Sequence, residues 1–272
     1  MSAGPRLPGI QNVIAVASGK GGVGKSTVAA NLALSLKRLG QKVGLLDADI
    51  YGPSLPTLFG LKDKQPAVDP EKRKLLPLEK FGLKVMSIGF LMREMDAVIW
   101  RGPMVHKMLE QFIKDVDWGE LDTLLIDLPP GTGDTQLSLS QLIPLSGAAI
   151  ITTPQDLALA DVVRGVAMFQ KVGVPLLGVV ENMSYFACPH CGEKSEIFSH
   201  GGGRKKAEEL KVPFLGEIPL DPKTREGSDA GLPIVEGAPE SPQSQLFLKT
   251  AQALLTELQS VQAGGEAVKI QL

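Results

Sequence analysis

The chain has 272 residues, 43% hydrophobic, 21% charged and only 5% aromatic, the profile of a globular protein with a large aliphatic core. Lysine and arginine number 28 against 30 acidic residues, a formal charge of −2, which excludes a global basic field drawing the protein to nucleic acid or anionic lipid. No run approaches the roughly 18 apolar residues of a membrane span, "MSAGPRLPGI" lacks a secretory apolar core, and two cysteines spaced C-x-x-C form no secreted disulfide framework, so a cytoplasmic protein with no membrane or nucleic-acid partner is expected.

Short apolar runs alternate with helix-length amphipathic segments. Strands are expected at 12–18, 42–49, 83–89, 122–130, 147–154, 174–182 and 212–219, because their apolar residues run continuously, as strands covered on both faces require. Helical spacing falls near 25–39, 103–115, 134–143, 155–171, 201–210 and 242–259. Strand and helix alternating in this way give right-handed crossovers and an α/β fold: a mostly parallel sheet with helices on both faces. We expect one domain over 1–272, an ordered core of about 10–260 and a mobile tail "AGGEAVKIQL". The charged, proline-rich stretch 62–82 reads as an excursion or short hairpin rather than a linker.

In such sheets ligands bind beyond the carboxyl ends of the strands. There the first expected strand runs into Gly19-Lys20-Gly21-Gly22-Val23-Gly24-Lys25-Ser26-Thr27, and a helix follows. This is a P-loop in its required context. Backbone N–H groups and the helix N-terminus curl around phosphates, Lys25 reaches the β/γ-phosphates, and the Ser26 hydroxyl can hold Mg²⁺. Asp127, at the end of "LLID", suits a magnesium contact. Asp49, in the loop after the second strand, suits orientation of an attacking water or a magnesium contact. Asp47 reads equally well as an Asx-turn or capping acid. "PPGTGD" (129–134) fixes a loop beneath the γ-phosphate.

Cys188-Pro-His-Cys191 taken alone is open between a redox dithiol, a zinc half-site, an iron–sulfur half-site and a structural accident. A [4Fe–4S] cluster wants four thiolates; a chain with two cannot supply them, and a two-fold dimer can. Zinc is the runner-up, with His190 or His200 as further ligands, although at this spacing both read as solvent-facing loop residues.

"SGKGGVGKST" resembles the deviant Walker A signature of the ATPases that include the nitrogenase iron protein, MinD and ParA. That resemblance implies that Lys20 crosses a dimer interface to the partner's nucleotide, with Lys20 and Asp49 serving catalysis. Over nearly the whole chain, "DADIYGPSLP", "VIWRGP", "DLPPGTGD", "TTPQD", "VVENMSYFACPHCG" and "FLGEIPLD" resemble the Mrp/ApbC family of iron–sulfur cluster carriers. The resemblance implies a slow ATPase using ATP and Mg²⁺, with a [4Fe–4S] cluster bridging a homodimer through Cys188 and Cys191. Scaffold donors would supply the cluster and apoproteins would receive it. It also implies that Asn182 reads the adenine base, with "IPLDPKTRE" (218–226), Pro219 and Asp221 among it, walling the same base. Many bacterial members have a further small N-terminal domain, and none is expected here. The alternative is a MinD- or ParA-type spatial or partition ATPase. The first would want a basic amphipathic C-terminal helix, yet 241–260 has one lysine and one glutamate; the second would want clustered basic residues, and only "KRK" (72–74) and "RKK" (204–206) offer them. A simple P-loop kinase leaves Lys20 and the cysteine pair without a use.

Overall fold

Ile14, Ala15 and Val16 have no exposed surface, which places their strand, β1 (Ile10–Ala17), in the middle of the sheet with helices on both faces. The structure, a computed structural model, describes residues 7–50, 52–91 and 113–264. "VIWRGP", most of the expected helix at 103–115 and the tail beyond 264 lie outside the described residues. β1 pairs in parallel with β5 (Leu121–Asp127) on one side and β6 (Gly147–Thr152) on the other. β2 (Val43–Asp47) flanks β5, and β4 (Leu83–Ser87) flanks β2. On the far side β7 (Leu176–Ala187) pairs with β6 and with β9 (Phe214–Leu220), all parallel. The chain thus leaves β1 toward both halves of the sheet, and the crevice at the carboxyl end of β1 is the switch point where ligands bind.

Two short antiparallel strands complete the sheet. β3 (Leu78–Lys80) pairs with β4, and a bridge joins Val68 to Leu75, so 62–82 is a hairpin-like excursion. β8 (Lys194–Ser195) pairs with the end of β7. β7 runs five residues past the stretch its apolar run marks out, because this hairpin extends it beyond Asn182.

The helices follow the expected spacing: α1 (Lys25–Arg38), α3 (Asp134–Leu142), α4 (Asp156–Lys171), α5 (Gly202–Glu209) and α8 (Pro242–Gln262). α1 is rich in alanine and leucine, strong helix formers, and Lys37 and Arg38 complement its C-terminal dipole. Three short helices carry no apolar stripe long enough to read: α2 (Leu55–Leu58), α6 (Pro222–Asp229) and α7 (Ile234–Gly237). α6 forms because Asp221 caps it, accepting from the N–H of Lys223 at 3.3 Å and Thr224 at 3.1 Å, with Pro222 preset for the first turn. No helix among the described residues is long and apolar enough to cross a membrane.

Candidate functional site

β1 ends at Ala17, and the chain must turn sharply to enter α1. Gly24 makes that possible: φ is +78°, and a Cβ there would stand 2.4 Å from Asn182 Nδ2, so conformation and space both demand glycine. Gly19 presses on α4, where a Cβ would lie 2.1 Å from the Asp161 Cβ. α1 has no acidic residue in its first turn and no capping side chain. Its first N–H groups and its positive dipole end are therefore left for an anion. They open onto a cavity of about 760 Å³, ample for a nucleotide by the usual range of ligand pockets.

Residues Lys20 to Thr27, Asp49, Asn182, Pro219 and Asp221 all line this cavity. Gly19 and Asp127 do not; Asp127 lies beneath the floor, fully buried. The two lysines part ways. Lys25 Nζ descends to Asp127 Oδ1 at 2.5 Å, both groups buried. Lys20 Nζ instead reaches the start of α4, donating to Gln155 Oε1 at 3.4 Å, which also accepts from Thr153 Oγ1 at 3.2 Å. Gln155 is a neighbour of the signature lysine that sequence reading did not single out.

In-register pairing of β2 with β5 sets Asp47 beside Asp127. Asp47 is the organiser of the loop that follows it: Oδ1 accepts from Asp49 N at 3.1 Å, and Oδ2 accepts from Ser54 N at 2.9 Å, Leu55 N at 3.1 Å and Ser87 Oγ at 3.0 Å. Of the two readings open for Asp47, the geometry realises the Asx-turn and capping one. Burial, and then the Asp127 carboxylate, push its carboxyl up to about 7 against the pull of the Leu55 and Asp49 N–H groups and the Lys25 ammonium. Asp49 is held within the same loop, accepting from Gly52 N at 3.3 Å.

Burial also raises the Asp127 carboxyl, opposed by the Lys25 ammonium and the Ser26 hydroxyl. Asp127 Oδ2 is sealed from solvent with no hydrogen-bond partner. A lone buried carboxylate oxygen next to a serine hydroxyl is the hard-oxygen donor set that Mg²⁺ takes. At the far wall, Asn182 Nδ2 donates to Val23 O at 2.8 Å, fastening β7 to the P-loop. Asp221 lines the wall with its carboxylate engaged in capping α6. Thr224, within the stretch 218–226 expected to wall the base, lines the same side, and Met183 and Phe247, which were not found from sequence, complete it.

Cys188 and Cys191 stand apart from the cavity, at the tip of the β7–β8 hairpin. Cys188 is half-buried and Cys191 exposed. The turn is closed by Cys188 N to Glu193 O at 2.9 Å and Gly192 N to Cys188 O at 2.8 Å. The N–H groups of Cys191 and then His190, with the Cys191 thiol, bring the Cys188 thiol below the usual range. His190 is exposed. His200 is exposed, as expected, and also has protein partners: Ser184 Oγ lies 2.9 Å from its Nδ1, and Glu217 Oε2 lies 3.8 Å from its Nε2.

Residues 9–255 match the ParA family in its form described as NUBPL iron-transfer P-loop NTPase. The chain is 53% identical to the iron-sulfur cluster carrier protein of Aquifex aeolicus, covering 94% of this chain and 70% of that one. It is 50% identical to the iron-sulfur cluster transfer protein NUBPL of Dictyostelium discoideum, over 94% and 79%. Among solved structures, the nucleotide-binding protein of Archaeoglobus fulgidus, in complex with ADP and with cobalt found in it, matches at a TM-score of 0.77 and 44% identity, covering 89% and 94%.

Proposed function

The chain belongs to the NUBPL iron-transfer P-loop NTPase family, and from there we propose that it is an ATP-binding, slowly ATP-hydrolysing carrier that holds a [4Fe–4S] cluster between two copies of itself and hands it to apoproteins. What carries the reading is the Cys188 turn. A tight turn, closed by Cys188 N to Glu193 O and Gly192 N to Cys188 O, sets a half-buried thiol beside a second, exposed one, and the neighbouring N–H groups hold the first below the usual thiol range, which favours the thiolate a metal cluster needs. Two thiols per chain complete four ligands only across a two-fold axis. Names of the relatives favour this reading over a spatial or partition ATPase.

In the nucleotide site, Gly21 to Thr27 and the α1 N-terminus cradle the phosphates. Lys25 leaves Asp127 for the β/γ-phosphates, which frees both Asp127 oxygens. Ser26 and Asp127 would hold Mg²⁺, with Asp49 in the loop beside them, and a bound ion would supply neutralisation of the charge on the transferring phosphoryl group. Asp49 orients the attacking water. Lys20, turned toward Gln155 rather than into the sheet, serves the nucleotide of the partner copy, where it stabilises charge present mainly in the transition state. Asn182 and Pro219 face the base.

Anaerobic reconstitution, absorption spectroscopy and iron and zinc analysis test the carrier. About four iron atoms per dimer are expected from the ligand count. Four per monomer defeats the bridging model, and stoichiometric zinc without iron defeats the carrier while sparing the NTPase.

A further inference from the structure

β7 changes character just past Glu181. Against β9 its ladder runs Glu181↔Glu217 and Asn182↔Ile218, then resumes at Phe186↔Leu220, so Met183, Ser184 and Tyr185 together face Pro219. Three residues against one is a bulge, and the proline opposite has no N–H to tie it down. Met183 sits at φ +56°, in the left-handed region that side chains of its kind rarely adopt. Such a conformation persists only where its surroundings hold it.

Here they hold it from two sides. On the nucleotide side, Asn182 is bonded to Val23 O at 2.8 Å, and Met183 Cε lies 3.5 Å from where a Gly24 Cβ would stand. On the hairpin side, buried Ser184 donates from Oγ to Glu181 Oε1 at 2.5 Å, and Glu181 also accepts from Gly201 N at 3.0 Å and Gly203 N at 2.5 Å. The one hydroxyl proton of Ser184 is spent on that carboxylate, so His200 Nδ1, 2.9 Å away, carries the hydrogen and donates to Oγ. The His200 ring meets Tyr185 edge-on with centroids 5.9 Å apart, and Lys194 of β8 lies 4.1 Å over the Tyr185 ring. Cys188 follows three residues later in the chain.

We propose that Ser184 and His200 are positioning residues that make the cysteine hairpin answer to the nucleotide cavity, with Met183 as the pivot between them. A ligand that presses on Asn182 or the P-loop moves one side of the pivot. Because Ser184, His200, Tyr185 and Lys194 are joined in series on the other side, the base of the hairpin moves with it, and no ladder bond of β9 has to break. The inference rests on the cavity taking Mg·ATP and the hairpin taking the cluster.

Amide hydrogen exchange on the full chain, without iron, with and without Mg·ATP, tests it. In the wild type, Mg·ATP protects the P-loop peptides and changes exchange over 184–195. Ser184→Ala keeps the P-loop protection and loses the change over the hairpin, while Ser184→Thr restores it. His200→Ala, altered at a half-exposed side chain, shows the same loss if Ser184→Ala folds poorly. A hairpin indifferent to nucleotide in the wild type, or still fully responsive in both alanine variants, overturns the proposal. Unprotected P-loop peptides would instead overturn the nucleotide reading on which it rests.

Discussion

The nucleotide cavity and the cysteine hairpin hang on the same strand and are built by opposite rules. Around the cavity, Lys25, Asp47 and Asp127 are buried, and Asp47 alone gathers four donors. At the hairpin, the second strand is two residues long and Cys191 stands in solvent. A site refilled in every cycle with a highly charged ligand profits from being over-determined, since pre-ordered donors need no reorganisation. On the proposed function the hairpin is a site whose cargo must leave, and such a site profits from few contacts, which lie at the low-stability end of a structure.

Lys25→Ala breaks the contrast most severely. It removes the cation from a buried pair, which costs about 3–5 kcal/mol, and strips the phosphate cradle of its charge, so ATP affinity should fall by about 100-fold or more. Calorimetric ATP titration alongside urea unfolding measures both, and adding Asp127→Ala should return much of the stability but none of the affinity.

Lys20→Ala and Asp49→Ala separate chemistry from binding. Each should lower turnover about 10²–10³-fold with ATP affinity largely kept; phosphate-release assays beside equilibrium binding decide it, and unchanged turnover in Lys20→Ala would strip that lysine of its cross-subunit role.

Asp47 gives the cavity a pH signature of its own. Its carboxyl stands at about 7 in the folded chain against roughly 3.9 unfolded. Between those values the folded chain keeps a proton that the unfolded chain has released, so stability falls as pH rises, until the loss is complete above the folded value. The raised Asp127 acts in the same direction. Nucleotide-free protein should lose about 2 kcal/mol between pH 5 and pH 8. Urea titrations across that range check the slope, and it should flatten in Asp47→Ala.

The hairpin closes the series. Cys188→Ala or Cys191→Ala should remove all bound iron yet shift unfolding by less than about 0.5 kcal/mol, with ATP affinity unchanged. Iron retained in the double variant would place the cluster elsewhere.

The two regions also differed in how far they could be read. Glycines, lysine and serine at fixed offsets, with the apolar strand before them, disclose the P-loop because its physics is local: a tight turn and exposed N–H groups. Asp127 shows for the same reason, as a charge ending a buried run. Asp47 stayed divided because its role depends on what folds back onto it from Ser54, Leu55 and Ser87. α6 was missed since its mark is a single capping dipeptide, Asp221-Pro222, rather than a periodic stripe. Gln155 and Met183 lay inside the matched stretches "TTPQD" and "VVENMSYFACPHCG", but nothing in those stretches singled them out. One matters through its distance from Lys20 and the other through a backbone angle that neighbours impose.

The P-loop lies near the start of the chain, yet the walls of its cavity include Asn182, Asp221, Gln243 and Phe247, and β1 gains its two partners only at Leu121–Asp127 and Gly147–Thr152. During synthesis the phosphate-binding segment therefore emerges long before its far wall exists, and pairing this non-local is slow to form. On the proposed reading, the complete nucleotide cavity forms only after α8 has been made. A ribosome that stops before α8 leaves every residue of the P-loop in place and the wall formed by Gln243 and Phe247 missing.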